Sequence, residues 1–157
     1  MADVDIDVVD GLGQDALMRI DRAMHPGALR VSTAGDMVFG INSRLGANRL
    51  RRLRIFGHAA DGVQGLGNSE TTQNSNQLLQ TDRNGTVREA ALLALLRSSF
   101  SPAGRVELHG CNVARGWAGK MLLTQLSQIW GVPLRGGVGT QVEAPGFEGP
   151  VRTAGPA

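Results

Sequence analysis

The amino-acid sequence predicts an α/β fold in which helices cover both faces of a mostly parallel sheet. Short apolar segments alternate with stretches of helical periodicity, and short connections join them. Such alternation is typical of βαβ units with right-handed crossovers, which build parallel sheets. A chain of 157 residues is long enough to bury a sizeable core. We therefore expect a single domain over residues 1–157, with a tail rich in Gly and Pro at 143–157.

The composition excludes several classes of protein. The net charge is +2 at pH 7 and aromatic residues make up 4%, so the core must be aliphatic and the charge does not indicate a polyanion partner. One cysteine excludes an internal disulfide framework. No run approaches the roughly 18 apolar residues that span a bilayer, and Asp3 and Asp5 stand where a signal peptide would be basic. We expect a soluble protein without a membrane partner, cytoplasmic or exported without a cleavable signal peptide.

The first half of the chain contains five predicted elements. Apolar residues alternate with aspartates over 3–8, which is the pattern of a half-buried edge strand. Residues 14–24 have helical spacing before Pro and Gly end the helix. Residues 37–41 are predicted to form a second strand, 46–50 a short helix, and 53–57 a third strand.

The second half begins with a polar loop and then alternates again. Residues 61–84 carry few apolar side chains and are predicted to be a loop that hangs over the site described next. The following elements are predicted after it: a helix from a capping box of Thr86 and Glu89 to Ser98, a strand at 106–108, a helix at 117–130 closed by Gly131, a strand at 132–135, and an edge segment at 147–151.

Two residues with catalytic chemistry follow predicted strands. His58 comes directly after the strand at 53–57, and Cys111 follows the strand at 106–108 and precedes a helix. Open α/β sheets place their chemistry at the carboxyl ends of strands, so neighbouring parallel strands would bring these two side chains together. A helix N-terminus favours the thiolate, and a histidine can serve as general base and acid. The pair is therefore our candidate dyad.

Other residues would complete such a site. The backbone amides of Ala59 and Cys111 are the expected oxyanion donors. The candidate residues of a substrate groove are Asn42, Ser43, Arg44, Gly136, Gly137 and Val138. His109 is an alternative partner for Cys111, and Asp61 either orients His58 or forms a turn before a glycine.

Structural explanations compete with these functional ones. A lone cysteine after an apolar strand is usually a small buried hydrophobe, and a histidine at a strand end is often only hydrogen-bonded. The five arginines within residues 44–54 form either a solvated face or a nucleic-acid patch. Because no aromatic residues are interleaved for base stacking, we do not expect a nucleic-acid partner.

Three segments resemble a known superfamily. They are residues 53–62 (LRIFGHAADG), residues 106–119 (VELHGCNVARGWAG) and residues 132–137 (VPLRGG). Together they resemble the caspase/gingipain-like cysteine peptidases (clan CD), and more narrowly the bacterial caspase-like domains of unknown function with a GCNVA-x-G-x-x-G cysteine motif. Residues 110–119 match that motif in full. The resemblance covers about residues 37–142, which we take as the core of the domain. One departure is Ala59, because the superfamily commonly has His-Gly.

The resemblance implies a fold and a chemistry. It implies a caspase-like three-layer sandwich with a histidine–cysteine dyad at the ends of adjacent parallel strands, at His58 and Cys111. The implied function is that of a hydrolase, a cysteine endopeptidase that acts on a protein or peptide through a thioester. This chemistry needs neither a metal nor an organic cofactor, and the domain would be an effector or self-processing module. The alternative is a non-catalytic binding or scaffold module with an idle dyad. The oligomeric state stays open.

Overall fold

The computed structural model describes residues 2–67, 75–141, 147 and 149–156. The described helices are α1 (Ala16–Met24), α2 (Ala34–Leu45), α3 (Ala90–Leu93) and α4 (Gly116–Trp130), with 3₁₀ helices at Ser75–Gln77 and Ala94–Ser99. The described strands are β1 (Asp3–Asp10), β2 (Leu29–Val31), β3 (Arg49–Phe56), β4 (Ala59–Ala60), β5 (Val63–Gly65), β6 (Leu78–Gln80), β7 (Phe100–Leu108), β8 (Leu134–Gly137) and β9 (Val151–Ala154).

The central sheet has six strands in the order β2-β1-β3-β7-β8-β9. All neighbours are parallel except β9, which pairs antiparallel with β8. A second, antiparallel sheet contains β4, β5 and β6. The predicted α/β class with a mostly parallel sheet is confirmed, and the layers form an α/β sandwich.

The two faces of the sheet are covered unequally. On one face, α2, α3 and α4 bury the main apolar cluster, to which Leu53 and Leu108 of the central strands belong. Met18 of α1 is fully buried together with Val9 and Phe56, and these three side chains lie outside that cluster. Side chains alternate along a strand, so α1 covers the opposite face. Only one short helix lies there in the described part of the chain.

β1 is an interior strand, and the prediction of an edge strand was wrong. It lies between β2 and β3, and its aspartates face arginines of the neighbouring strand. Asp5 accepts hydrogen bonds from Arg51 at 2.9 and 2.8 Å, and Asp7 accepts from Arg54 at 2.7 and 2.6 Å. These pairs explain the polar face of β1 and part of the arginine run, which serves the sheet itself.

The predicted strand at 37–41 was also wrong, since those residues belong to α2. Its N-cap Thr33 accepts a hydrogen bond from the Asp36 amide at 3.1 Å. Gly40, inside the predicted strand, is a packing glycine of the helix: a Cβ there would lie 2.7 Å from Cδ2 of Leu29. The predicted short helix at 46–50 is a turn at Gly46 (φ +56°) that leads into β3.

Among the later elements, α4 and its Gly131 cap (φ +69°) are confirmed. The capping box of Thr86 and Glu89 is wrong, because the Thr86 amide donates to Asp82 at 3.0 Å and Glu89 has a left-handed φ of +61° directly before α3. The predicted loop at 61–84 contains β5 and β6, and residues 68–74 lie outside the described residues. The final edge strand is β9, slightly later than predicted. Within the described ranges, no helix has the length and apolar character needed to span a bilayer.

Candidate active site

His58 and Cys111 follow two paired parallel strands at the same distance. Ile55 of β3 is in register with Leu108 of β7, and each candidate residue lies three positions beyond its member of that pair. The amide of His109 continues the ladder with a 2.8 Å hydrogen bond to the Ile55 carbonyl. The two side chains therefore belong to the same edge of the sheet, where the carboxyl ends of both strands lie.

The buried amide of Gln64 ties these two strand ends together. Its Oε1 accepts a hydrogen bond from the Gly110 amide at 3.0 Å, and its Nε2 donates to the Gly65 carbonyl at 3.1 Å and reaches the Gly57 carbonyl at 3.5 Å. Gln64 is fully buried. A Cβ at Gly110 would lie 2.1 Å from the Cβ of Ala59, so the segments that carry His58 and Cys111 are in tight contact.

Asp15 binds the imidazole of His58. Its Oδ2 lies 2.9 Å from Nε2 of His58, and since a carboxylate only accepts, the ring N–H donates. Asp15 is also the N-cap of α1 and accepts from the Met18 amide at 3.2 Å. Burial would raise the pKa of Asp15, but the hydrogen bonds from His58 and Met18 outweigh it and hold the pKa below its usual value. Any proton exchange with Cys111 would then involve Nδ1 of His58.

The sequence analysis did not assign Asp15 to the site. An aspartate just before a helical stretch is an N-cap signal, and this would have placed it at the start of α1. Its contact with a histidine 43 residues later depends on β1 and β3 being neighbours, which periodicity does not encode.

Asp21 brings a second carboxylate of α1 close to His58. Burial is the largest influence and raises its pKa to about 6, although the positive charges of His58 and Arg22 act in the opposite direction. A carboxyl with a raised pKa therefore lies beside the candidate base.

Asp61 is not the partner of His58. Its Oδ2 lies 3.4 Å from Nε of Arg115, and both side chains are about half exposed. The turn that contains it is fastened to the cysteine turn, because the Gly62 amide donates to the Val113 carbonyl at 2.9 Å.

His109 is held by contacts of its own. Its Nε2 lies 2.9 Å from Oε1 of Glu107, and this hydrogen bond holds the pKa of Glu107 below its usual value despite burial. The ring stacks between Phe56 and Phe147, with centroids 4.7 and 4.3 Å away. The sequence left His109 open as a partner for Cys111, and this network occupies its ring instead.

Cys111 is partly exposed, and its sulfur is bracketed by the backbone of Gln141. The thiol donates to the Gln141 carbonyl at 3.1 Å, and the Gln141 amide donates to the sulfur at 3.3 Å. The turn that presents the thiol continues through Asn112 in a left-handed conformation (φ +59°).

The backbone amides of Ala59 and Cys111, the proposed oxyanion donors, differ from the neighbouring amides in their hydrogen bonding. The Gly110 amide donates to Gln64 and the Asn112 amide to the Gly139 carbonyl at 2.9 Å, whereas the Cys111 amide has no acceptor among the residues that the structure describes. The Gly65 amide bonds the His58 carbonyl at 2.7 Å. The next pair, Ala59 with Gln64, is then a non-hydrogen-bonded pair, and the Ala59 amide points away from β5.

The groove candidates separate into two groups. Asn42, Ser43 and Arg44 lie in the last turn of α2, next to the start of β3 and therefore at the edge of the sheet opposite to Cys111. They were expected at the end of a strand that does not exist. By contrast, Gly136, Gly137 and Val138 do lie at the end of β8 beside the cysteine turn, where the Ala114 amide donates to the Gly137 carbonyl at 3.0 Å.

Over the described ranges, no group of three or more His, Cys, Asp or Glu side chains is arranged to hold a metal ion.

Residues 15–136 match the family described as a domain of unknown function (DUF4347). The match covers most of the chain, and the chain belongs to this family. It begins at Asp15 and includes His58 and Cys111. No curated protein and no solved structure matches the chain.

Proposed function

We propose that this domain is a caspase-like cysteine endopeptidase in which Cys111 is the nucleophile and His58 the general base and acid. The observation that carries the proposal is the placement of these residues at equal offsets beyond two paired parallel strands, with Asp15 bound to the far nitrogen of the histidine. A nucleophile, a base and a group that orients the base are the elements that such chemistry requires.

The reaction would proceed through a thioester. The thiol proton passes to His58, the sulfur attacks the scissile carbonyl, and the amide C–N bond breaks as His58 returns the proton to the leaving amine. Water then donates a proton to His58, adds to the thioester carbonyl and releases the acid and the thiol. The amides of Ala59 and Cys111 would stabilise the oxyanion in both halves.

Asp15 would orient His58 and stabilise its positive charge. A carboxylate on one imidazole nitrogen fixes the tautomer and favours the protonated ring in the transition state. Asp15 is here a positioning residue, since it would act through His58 and not on the substrate.

One observation favours the alternative, a non-catalytic binding module with an idle dyad. Both backbone groups of Gln141 lie against the sulfur of Cys111, where a substrate carbonyl would have to approach. The peptidase and the binding module differ in one testable property: only in a peptidase does the reactivity of Cys111 depend on His58.

The test is covalent labelling with peptide acyloxymethyl ketones, followed by intact mass. We expect an adduct on wild type that is absent in Cys111→Ala and at least 100-fold slower in His58→Ala, since general base catalysis contributes about 10²–10⁴-fold. Labelling of Cys111 at an unchanged rate in His58→Ala would reject the peptidase in favour of the binding module.

Asp15→Asn and Asp61→Asn form a matched pair for the positioning role. Asparagine is as good an N-cap as aspartate, so Asp15→Asn should keep α1 intact and yet slow labelling about tenfold or more, with a changed pH profile. Asp61→Asn removes a half-exposed carboxylate near the same edge and should leave the rate within about twofold of wild type. Equal effects of the two substitutions would contradict the role of Asp15.

A further inference from the structure

Residues 137–141, which we call the strap, leave β8 and run along the cysteine turn at residues 111–114. The Ala114 amide donates to the Gly137 carbonyl at 3.0 Å and the Asn112 amide to the Gly139 carbonyl at 2.9 Å. The strap ends at Gln141, whose amide and carbonyl both contact the sulfur of Cys111. Four backbone-mediated contacts thus fasten the strap to the turn that presents the thiol.

The buried side chain of Gln141 contacts other residues of the strap and stabilises its conformation. It is buried, with 7% of its surface exposed, and its Nε2 donates to the Gly139 carbonyl at 3.1 Å. It also packs on Gly137, where a Cβ would lie 2.3 Å from Nε2 of Gln141. A larger residue at position 137 would therefore displace the end of the strap.

The position of Gln141 is incompatible with attack on a substrate. A reacting carbonyl must come within about 3–3.5 Å of the nucleophile. The amide nitrogen and the carbonyl oxygen of Gln141 already lie 3.3 and 3.1 Å from the sulfur. A scissile peptide bond therefore cannot approach the sulfur while the backbone of Gln141 is in this position.

We propose that the strap is an inhibitory element: the backbone of Gln141 occupies the place of the scissile peptide bond, and the domain is latent until the end of the strap moves. This inference rests on the proposed peptidase function and concerns the regulation of that site. It also reconciles the proposed roles of Asp15, His58 and Cys111 with the contacts of Gln141 on the sulfur, because the contacts that favour an idle dyad become the closed state of an active one.

The experiment measures the rate at which iodoacetamide alkylates Cys111, the only cysteine, in folded protein. Gln141→Ala removes the side-chain anchor, and Gln141→Pro also removes the amide that donates to the sulfur. Loss of one hydrogen bond should speed alkylation about fivefold and loss of two about tenfold or more. Gln128→Ala, on the exposed face of α4, is the matched control and should react as wild type does.

Amide exchange gives a readout that does not depend on the thiol. The Asn112 amide is protected by the strap, so its exchange should accelerate in both Gln141 variants, while the protection of amides in the central strands shows that each variant is folded. Equal alkylation rates in wild type and both Gln141 variants would overturn the proposal. So would alkylation of native wild type at the rate of the unfolded chain in urea.

The strap and the peptidase can fail separately. Iodoacetamide needs an accessible sulfur and no dyad, so the alkylation series tests the strap alone. Acyloxymethyl ketone labelling of Gln141→Ala, with and without His58→Ala, tests the dyad in the opened state. If the Gln141 variants are alkylated faster than wild type, but ketone labelling has the same rate with and without His58, the strap proposal stands and the peptidase proposal fails.

Discussion

Gly110→Ala should separate the two strand ends that carry His58 and Cys111. The new Cβ would lie 2.1 Å from the Cβ of Ala59, 2.8 Å from Oε1 of Gln64 and 3.1 Å from the Gly57 carbonyl oxygen. Carbon atoms pack at about 3.5–4.0 Å, so the two methyl groups must move apart by about 1.5 Å. None of these neighbours is the end of a flexible side chain that points to solvent, and the backbone has to shift.

We expect Gly110→Ala to lower both the free energy of unfolding and the reactivity of Cys111. Overpacking of a buried site costs about 1–3 kcal/mol, and we expect the upper part of that range because three atoms are too close. A displacement of about 1 Å in a catalytic pair costs about 100-fold in rate. Urea unfolding with linear extrapolation and the labelling rate of Cys111 measure the two effects.

Ala59→Gly is the compensating substitution, since it removes the nearest of the three atoms. The double variant Gly110→Ala/Ala59→Gly should recover about 1 kcal/mol or more of the loss, a coupling that only residues in contact show. Gly27→Ala is the control, because a Cβ there meets nothing within 4 Å. If the free energy of unfolding of Gly110→Ala lies within about 0.5 kcal/mol of that of wild type, the two strand ends are not in tight contact.

Two further predictions concern the surroundings of the site. Gln64→Leu leaves the Gly110 amide and the Gly65 carbonyl without their partner, so it should lower the free energy of unfolding by about 2–5 kcal/mol. Gln14→Leu, on the surface, is the control and should change the free energy of unfolding by less than about 0.5 kcal/mol. A similarly small change in Gln64→Leu would contradict the conclusion that Gln64 joins the two strand ends. Asp21 has its pKa raised from 3.8 to about 6, so its contribution to stability is complete below pH 3.8 and is lost as pH rises through 6. Asp21→Asn should therefore gain about 1–2 kcal/mol over wild type between pH 4 and pH 7, which is less than the full shift because the carboxyl is partly exposed. Urea unfolding at each pH measures this gain, and parallel pH profiles would refute the assignment.

The candidate dyad could be proposed from the sequence because each of its members follows a local pattern. A strand, a glycine and a reactive residue occur twice in the sequence, and parallel pairing of the two strands brings the residues together. The residues that hold the candidate dyad in place could not be predicted from local sequence patterns. Asp15 and Gln64 reach the site from elements that precede and follow β3, and their hydrogen bonds join residues 43 and 46 positions apart.

The errors in the fold also have physical causes. The short apolar run at 37–41 suggested a strand, but it lies in α2, where Leu29 fills the space beside Gly40 that a side chain would occupy. The aspartates of β1 suggested an edge, yet a strand can be interior and polar on one side when its neighbour supplies the opposite charge, as Arg51 and Arg54 do here. Burial of one face, not position in the sheet, determined that pattern.

The sheet face that only α1 covers in the described part of the chain also supports the candidate site. Phe56 and His109 project from β3 and the end of β7, and they stack in one column with His25 of the α1 C-cap and with Phe147. The column joins α1, which carries Asp15, to the strands that end at His58 and Cys111. Because α1 is only nine residues long and packs on few apolar side chains, its position depends on this column and on the bond from Asp15 to His58. The orientation of His58 and the packing of α1 thus depend on the same contacts, so a change that loosens the helix should also loosen the base.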